Sequence, residues 1–130
     1  MSTSIRTTRH VYALDCPDAA ALAQFYARLL GWRTSSSEDD PGWVDVIPRE
    51  GESTGFAIAC QRVPDHRAPD WPDGAIPQQA HLDLYVDSIA EAGPVAEAAG
   101  ATRHPVQPSE DGTFAVFLDP AGHPFCLCEN

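Results

Sequence analysis

The sequence predicts an α+β domain in which one small unit, a strand, a helix and further strands, is used twice. Three observations carry this expectation. Short alternating stretches, HVYALDCPD at 10–18 and HLDLYVDS at 81–88, read as strands running into helix caps. After the first of them Leu22, Phe25, Tyr26, Leu29 and Leu30 fall at i, i+3, i+4, i+7 and i+8, the apolar stripe of an amphipathic helix. The halves can also be laid over each other. An offset of 70 sets Val11, Ala13 and Asp15 on His81, Asp83 and Tyr85, and an offset of 69 sets FAIACQ from Phe56 opposite FCLCEN from Phe125. A repeat of about 50 residues is too small to bury its own sheet face, so it needs its copy.

In chain order, the strand at 10–18 leads into a helix over 18–30, where Gly31 supplies the left-handed residue at its end. There is room for a strand near Arg33, and SSSEDDPG at 35–42 reads as a solvated acidic loop. A strand and turn run from Trp43 to Gly51, and another strand from Phe56 to Val63. Residues 64–79, PDHRAPDWPDGAIPQQ, are too rich in proline for a ladder or a helix interior and read as an ordered connector. After the strand at 81–88, Ser88 and Glu91 form a capping box for a helix over 89–100. Pro94 at its sixth position predicts a kink or a separate first turn. TFAVFLDPAG is a strand and turn, with His123 completing the turn, and HPFCLCEN closes the chain. The expected organisation is one domain over 1–130: module one at about 9–63, the connector at 64–79 and module two at about 80–130.

Eight basic residues against nineteen acidic ones give a formal charge of −11, with no Lys/Arg cluster. This argues against nucleic acid and anionic membranes as partners. No stretch approaches the roughly 18 apolar residues of a membrane span, and the first residues lack an apolar run of leader length, so a soluble cytoplasmic protein is expected. Cys16, Cys60, Cys126 and Cys128 include no C-x-x-C, and a domain of this size needs no staples; reduced thiols are expected. Cys16 and Cys60 read as core filler. Cys126 and Cys128, two apart on a strand, share a face.

The helix motif FYARLLGW, with CPDAAALAQFYARLLGW, WPDGAIPQQAHLDLYVD and DPAGHPFCL, resembles the vicinal oxygen chelate superfamily of glyoxalase I, extradiol dioxygenases and bleomycin-resistance proteins, and within it glyoxalase-like proteins of the actinobacterial type. The resemblance covers roughly residues 9–130. It implies the glyoxalase/bleomycin resistance fold, two βαβββ modules forming a cup-shaped half-barrel, and a homodimer. Metal-dependent members carry a ligand on the first and last strands of each module, positions that map to Val11, Ala57, His81 and Cys126. Val11 and Ala57 cannot ligate, and Cys126 stands where those enzymes carry their final Glu. His10 is one residue out of phase and should face away. His81 and Cys126 are then the only candidates, fewer than the three protein ligands of a catalytic zinc site. No cofactor is expected, and a divalent metal is the alternative; oxygen ligands would have to come from Asp15, Asp83 or Asp45 on or near the same surface.

His81, Asp83 and Tyr85 alternate along one strand and should look into the cup together. An imidazole that Asp83 can orient would suit acid/base catalysis at His81; the same residues equally suit a polar ladder in a water-filled cup. The expected ligand-binding set adds an apolar lining of Val11, Ala13, Ala57 and Ala59, with Asp15 for orientation and Cys126 and Cys128 as lining. Trp43 either stacks on a planar ligand at the rim or packs a sheet edge, and Trp71 either closes over the cup or is buried at a subunit contact. Trp32 reads as core, and His66 and Arg67 as loop residues able to meet an anion. A reactive Cys126 would need a cationic neighbour, for which His81 is the candidate. The leading function is binding of a small organic molecule. The competitors are a metal-dependent lyase, isomerase or dioxygenase using His81, metal-free catalysis by His81 and Asp83, and a structural role with a collapsed cup. Whether the protein is an enzyme stays open at this point.

Overall fold

A computed structural model of the chain describes residues 4–52 and 54–130. The chain divides into two units, Met1–Arg62 and Val63–Asn130, each with one helix and one four-stranded sheet. The first contains β1 (Val11–Cys16), α1 (Ala19–Leu30), β2 (Arg33–Ser37), β3 (Asp40–Ile47) and β4 (Ala57–Arg62). The second contains β5 (Leu82–Tyr85), α2 (Ile89–Ala99), β6 (Thr102–Arg103), β7 (Phe114–Leu118) and β8 (Pro124–Cys128).

The sheets have the same order, β1-β4-β3-β2 and β5-β8-β7-β6. In each, the first strand lies parallel to the last and the remaining pairs are antiparallel. The repeat seen in the sequence is thus a repeat of topology. Its register needs a correction. Val11 pairs with Ala57, whereas Cys126 pairs with Asp83. If Ala57 matches Cys126, the counterpart of Val11 is Asp83 rather than His81. The slip is two residues, which on a strand preserves the face.

Local chemistry explains the helices. The Asp18 side chain accepts the Ala21 N–H at 3.0 Å, and α1 stops at Gly31, whose φ of 69° a side chain would resist. The buried face of α1, including Leu22, Phe25 and Tyr26, packs on β3 and β4, where Val44, Val46, Ile58 and Cys60 are also buried. Cys16 joins this core, as the sequence suggested. In the second unit the Ser88 hydroxyl accepts the Glu91 N–H at 3.2 Å. From there α2 runs as a single element, without the separate first turn that Pro94 suggested. Pro94 is on the exposed side, and so is Ala90, whose carbonyl loses its helical donor there; water can replace it.

Two further elements differ from expectation. The stretch 35–42 is not a loop, because β2 continues to Ser37 and β3 starts at Asp40. Every side chain of β2 is exposed, so composition pointed to solvent while pairing with β3 made the strand. The short strand β6 was not foreseen, since two exposed residues carry no period. All four cysteines are free thiols. Among the described residues, no helix is long and apolar enough to cross a membrane.

Candidate functional site

Alternation along the strands of the second unit sorts its side chains onto two faces. Leu127, Phe117 and Phe125 are buried in the core, on the face that meets α2. The register sets Asp83 and Val116 beside Cys126, and Tyr85 and Phe114 beside Cys128, all on the other face. Above that face lies a cavity of about 430 Å³.

The connector supplies one wall. Trp71 packs against Val116, Cys126 and Cys128, and its ring meets that of His104 edge-on at 5.0 Å. Several bonds fix the connector within its unit. Asp70 receives the Ile76 N–H on its carboxylate at 3.3 Å and donates its own N–H to the Ile76 carbonyl at 2.6 Å. The His66 ring nitrogen Nε2 donates to the Ala121 carbonyl at 2.9 Å. Ala68 lies so close to Gly122 that a Cβ there would approach its methyl to 2.5 Å. The Asp119 carboxylate, buried beneath this turn, accepts the N–H groups of Ala121 and His123 at 2.9 and 3.0 Å.

The polar groups gather on the β5 side. His81 Nε2 is 3.1 Å from Asp83 Oδ1, and both side chains are partly exposed, at 39% and 45%. The Cys126 thiol lies within 4.8 Å of the Asp83 carboxylate. Burial, and then the charge of Asp83, raise its pKa from the ordinary 9.0 to about 12, and the same two causes raise that of Cys128. The activating cation that a reactive Cys126 requires is therefore replaced by an anionic acceptor, and the thiol is held protonated. Glu129, also on the cavity wall, accepts the Ile89 N–H at 2.8 Å and so places its charge at the N-terminus of α2. Gln78 lines the cavity too, and its buried Oε1 has no hydrogen-bond partner.

His81, Asp83 and Cys126 bring a nitrogen, an oxygen and a sulfur within 4.8 Å of one another. The sequence mapping gave His81 and Cys126 as ligand candidates and left Asp83 among the carboxylates on or near the same surface, because the first strands were matched two residues out of register. With Asp83 the set reaches the three donors of a catalytic zinc site, in types that suit a borderline-soft ion. The exposure of His81 and Asp83 leaves room for a further ligand, so in number and type the residues fit such a metal.

The remaining expected site residues lie in the first unit. Val11 pairs with Ala57 and Ala13 with Ala59, and Asp15 and Asp45 fall on the same face. Trp43 donates its indole N–H to Asp45 at 3.1 Å. His10 bonds to Thr7 and to the Gly55 carbonyl, at 2.9 and 3.2 Å. The cavity around His81 and Asp83 is lined by second-unit residues, with Tyr85, Cys126 and Cys128 from the expected set. Phe114, Val116, Gln78 and Glu129 were missed. An indole in a proline-rich connector was signal enough to notice Trp71, and β7 alternation could have placed Phe114 and Val116. Glu129 has no local signal.

A model of the glyoxalase-like domain family matches residues 12–128. Solved structures of the same fold include the genomically encoded fosfomycin resistance protein FosX of Listeria monocytogenes, 16% identical, with 98% of this chain and 95% of that one covered and a TM-score of 0.69. A glyoxalase/bleomycin resistance protein/dioxygenase family enzyme from Burkholderia phytofirmans PsJN is 20% identical, with 92% and 95% covered and a TM-score of 0.64. TnmS3, an antibiotic binding protein from Streptomyces sp. CB03234, is 17% identical, with 97% and 98% covered and a TM-score of 0.61. At such identities the likeness carries the fold. Among curated proteins, none matches this sequence.

Proposed function

The chain belongs to the glyoxalase-like domain family, and from that premise we propose that it binds a small organic molecule in the cavity of its second unit. The observation that carries this reading is the cavity itself: about 430 Å³, with Trp71, Phe114 and Val116 as apolar walls and His81, Asp83 and Gln78 as convergent polar groups. Concave, mostly apolar sites with a few placed polar groups are where small ligands bind. The open space also speaks against a collapsed, purely structural role. That one neighbour is an antibiotic binding protein and another a fosfomycin resistance protein agrees with the reading. Ligand-observed NMR against a library of small aromatic compounds tests it, with Trp71→Ala as control. Hits that vanish in the variant support the proposal, while no hits, or hits indifferent to Trp71, sink it.

One observation favours a second reading, metal-dependent chemistry: the donor cluster of His81, Asp83 and Cys126. These three residues would hold the ion, and a bound divalent metal would supply Lewis-acid polarisation of a ligand oxygen. Binding requires the Cys126 thiol to give up its proton, against burial and the charge of Asp83. Elemental analysis after incubation with zinc, nickel, manganese or ferrous iron separates the readings. Near-stoichiometric metal that is lost in His81→Ala puts this one first.

A further inference from the structure

The acidity of the chain is unevenly distributed. Residues 63–130 contain eleven Asp and Glu and two Arg, a formal −9, whereas residues 1–62 contain eight and six, a formal −2. The unit that holds the cavity therefore carries most of the net charge. Of its two arginines, Arg103 sits over the Phe117 ring, 5.5 Å from its centre, and neither Arg103 nor Arg67 is among the cavity-lining residues. Asp83 and Glu129 are. Glu129 has one oxygen engaged by the Ile89 N–H, and the buried Gln78 Oε1 lacks a donor altogether. The wall thus offers acceptors and negative charge with no Lys or Arg, the one basic group on it being the His81 imidazole 3.1 Å from Asp83. Beside them stand Trp71, Phe114 and Tyr85, whose ring faces attract cations as well as apolar bodies.

We propose that the cavity selects an aromatic ligand bearing a protonated amine, with the ring against Trp71 and Phe114 and the ammonium between Asp83, Glu129 and Gln78. This rests on the binding reading above and adds the chemical class. A carboxylate or phosphate of the same shape is excluded by like charge in a site with few counter-charges. The potential of the surrounding unit would also speed encounter with cations in a salt-dependent way.

The test is isothermal titration with three probes of one shape, 2-naphthylmethylamine, 2-naphthalenemethanol and 2-naphthoate, at pH near 7. The amine is expected to bind at least about 10-fold more tightly than the alcohol, as one charge-assisted hydrogen bond in a partly shielded site allows, and the carboxylate to bind more weakly than either. Asp83→Asn and Glu129→Gln should bring the amine towards the alcohol, and Trp71→Ala should weaken both. Equal binding of amine and alcohol, lost in Trp71→Ala, overturns the charge selection and leaves the binding reading standing. So does a preference for the amine that survives both carboxylate variants, since it would then not come from these groups. Tightest binding of naphthoate overturns the inference outright. If none of the three binds, the inference and the reading beneath it both fall.

Discussion

In the first unit the helix brings Leu22, Phe25 and Tyr26 to its sheet, whereas in the second the buried helical residues are Gly93 and Ala96, and the sheet provides Phe117, Phe125 and Leu127. Two copies of one topology thus fill their helix-to-sheet interfaces from opposite sides. Interiors must be filled to near-crystalline density, but which element supplies the volume is free to vary. The opposite faces differ as well. In the first unit the small Ala57 and Ala59 are fully buried and Trp43 is bonded to Asp45. In the second, carboxylates, thiols and an orphan amide oxygen surround open space. Duplication allowed one copy to keep small alanines in the middle of this face while the other gathered thiols, carboxylates and aromatic rings around a cavity.

The largest test of that contrast is thiol reactivity. At pH 8 a pKa of about 12 lowers the thiolate fraction of Cys126 about 1,000-fold below that of a thiol at 9.0. The greater nucleophilicity of the rarer thiolate recovers part of this, and alkylation should be slower by roughly 50-fold than in the unfolded chain, with Asp83→Asn faster than the parent. Mass spectrometry of iodoacetamide-treated protein reads the rates, and parity with the unfolded chain would remove Asp83 as the thiol's partner. The same group makes a pH prediction. Its folded-state pKa lies above its ordinary value, so this contribution to stability is intact below about pH 9 and is lost as pH rises towards 12. Urea midpoints across that range should fall less steeply in Cys126→Ser.

Next in size is the core of the second unit. Phe117→Ala removes the ring that lies under Gly93 and against Phe125, at a cost of about 3–5 kcal/mol in chemical denaturation. A much smaller loss would mean that the sheet does not supply the bulk there. Asp119→Ala leaves the Ala121 and His123 N–H groups without their acceptor in a buried turn, and about 1–3 kcal/mol should disappear. The smallest effect has the opposite sign. A Cβ on Gly93 would meet Phe117 Cζ at 3.5 Å, an ordinary contact, so Gly93→Ala should stabilise the helix by about 0.5–1 kcal/mol. Destabilisation instead would show the glycine to be needed for close packing.

How much of this could be read from the chain follows the range of the forces involved. Asp18, Gly31 and Ser88 act on backbone groups a few residues away, so the ends of both helices were legible. The shared face of His81, Asp83 and Tyr85 was legible because a strand has period two. The pairing of Asp83 with Cys126 was not, since register between strands forty residues apart is set by tertiary packing, and Asp83 was therefore not joined to His81 and Cys126 as a third donor. The place of Trp71 depends on Ala68 meeting Gly122 and on His66 reaching the Ala121 carbonyl, contacts that span more than fifty residues.

The position of Trp71 also gives the molecule a built-in optical signal. An indole emits at shorter wavelength as water leaves its face, and this one borders the cavity with a histidine ring at its edge. The other two tryptophans, Trp32 and Trp43, belong to the first unit, where Trp32 leans edge-on against Phe56 and Trp43 is bonded to Asp45. A ligand that entered the proposed site would therefore shift the Trp71 component of the emission and be visible without any label.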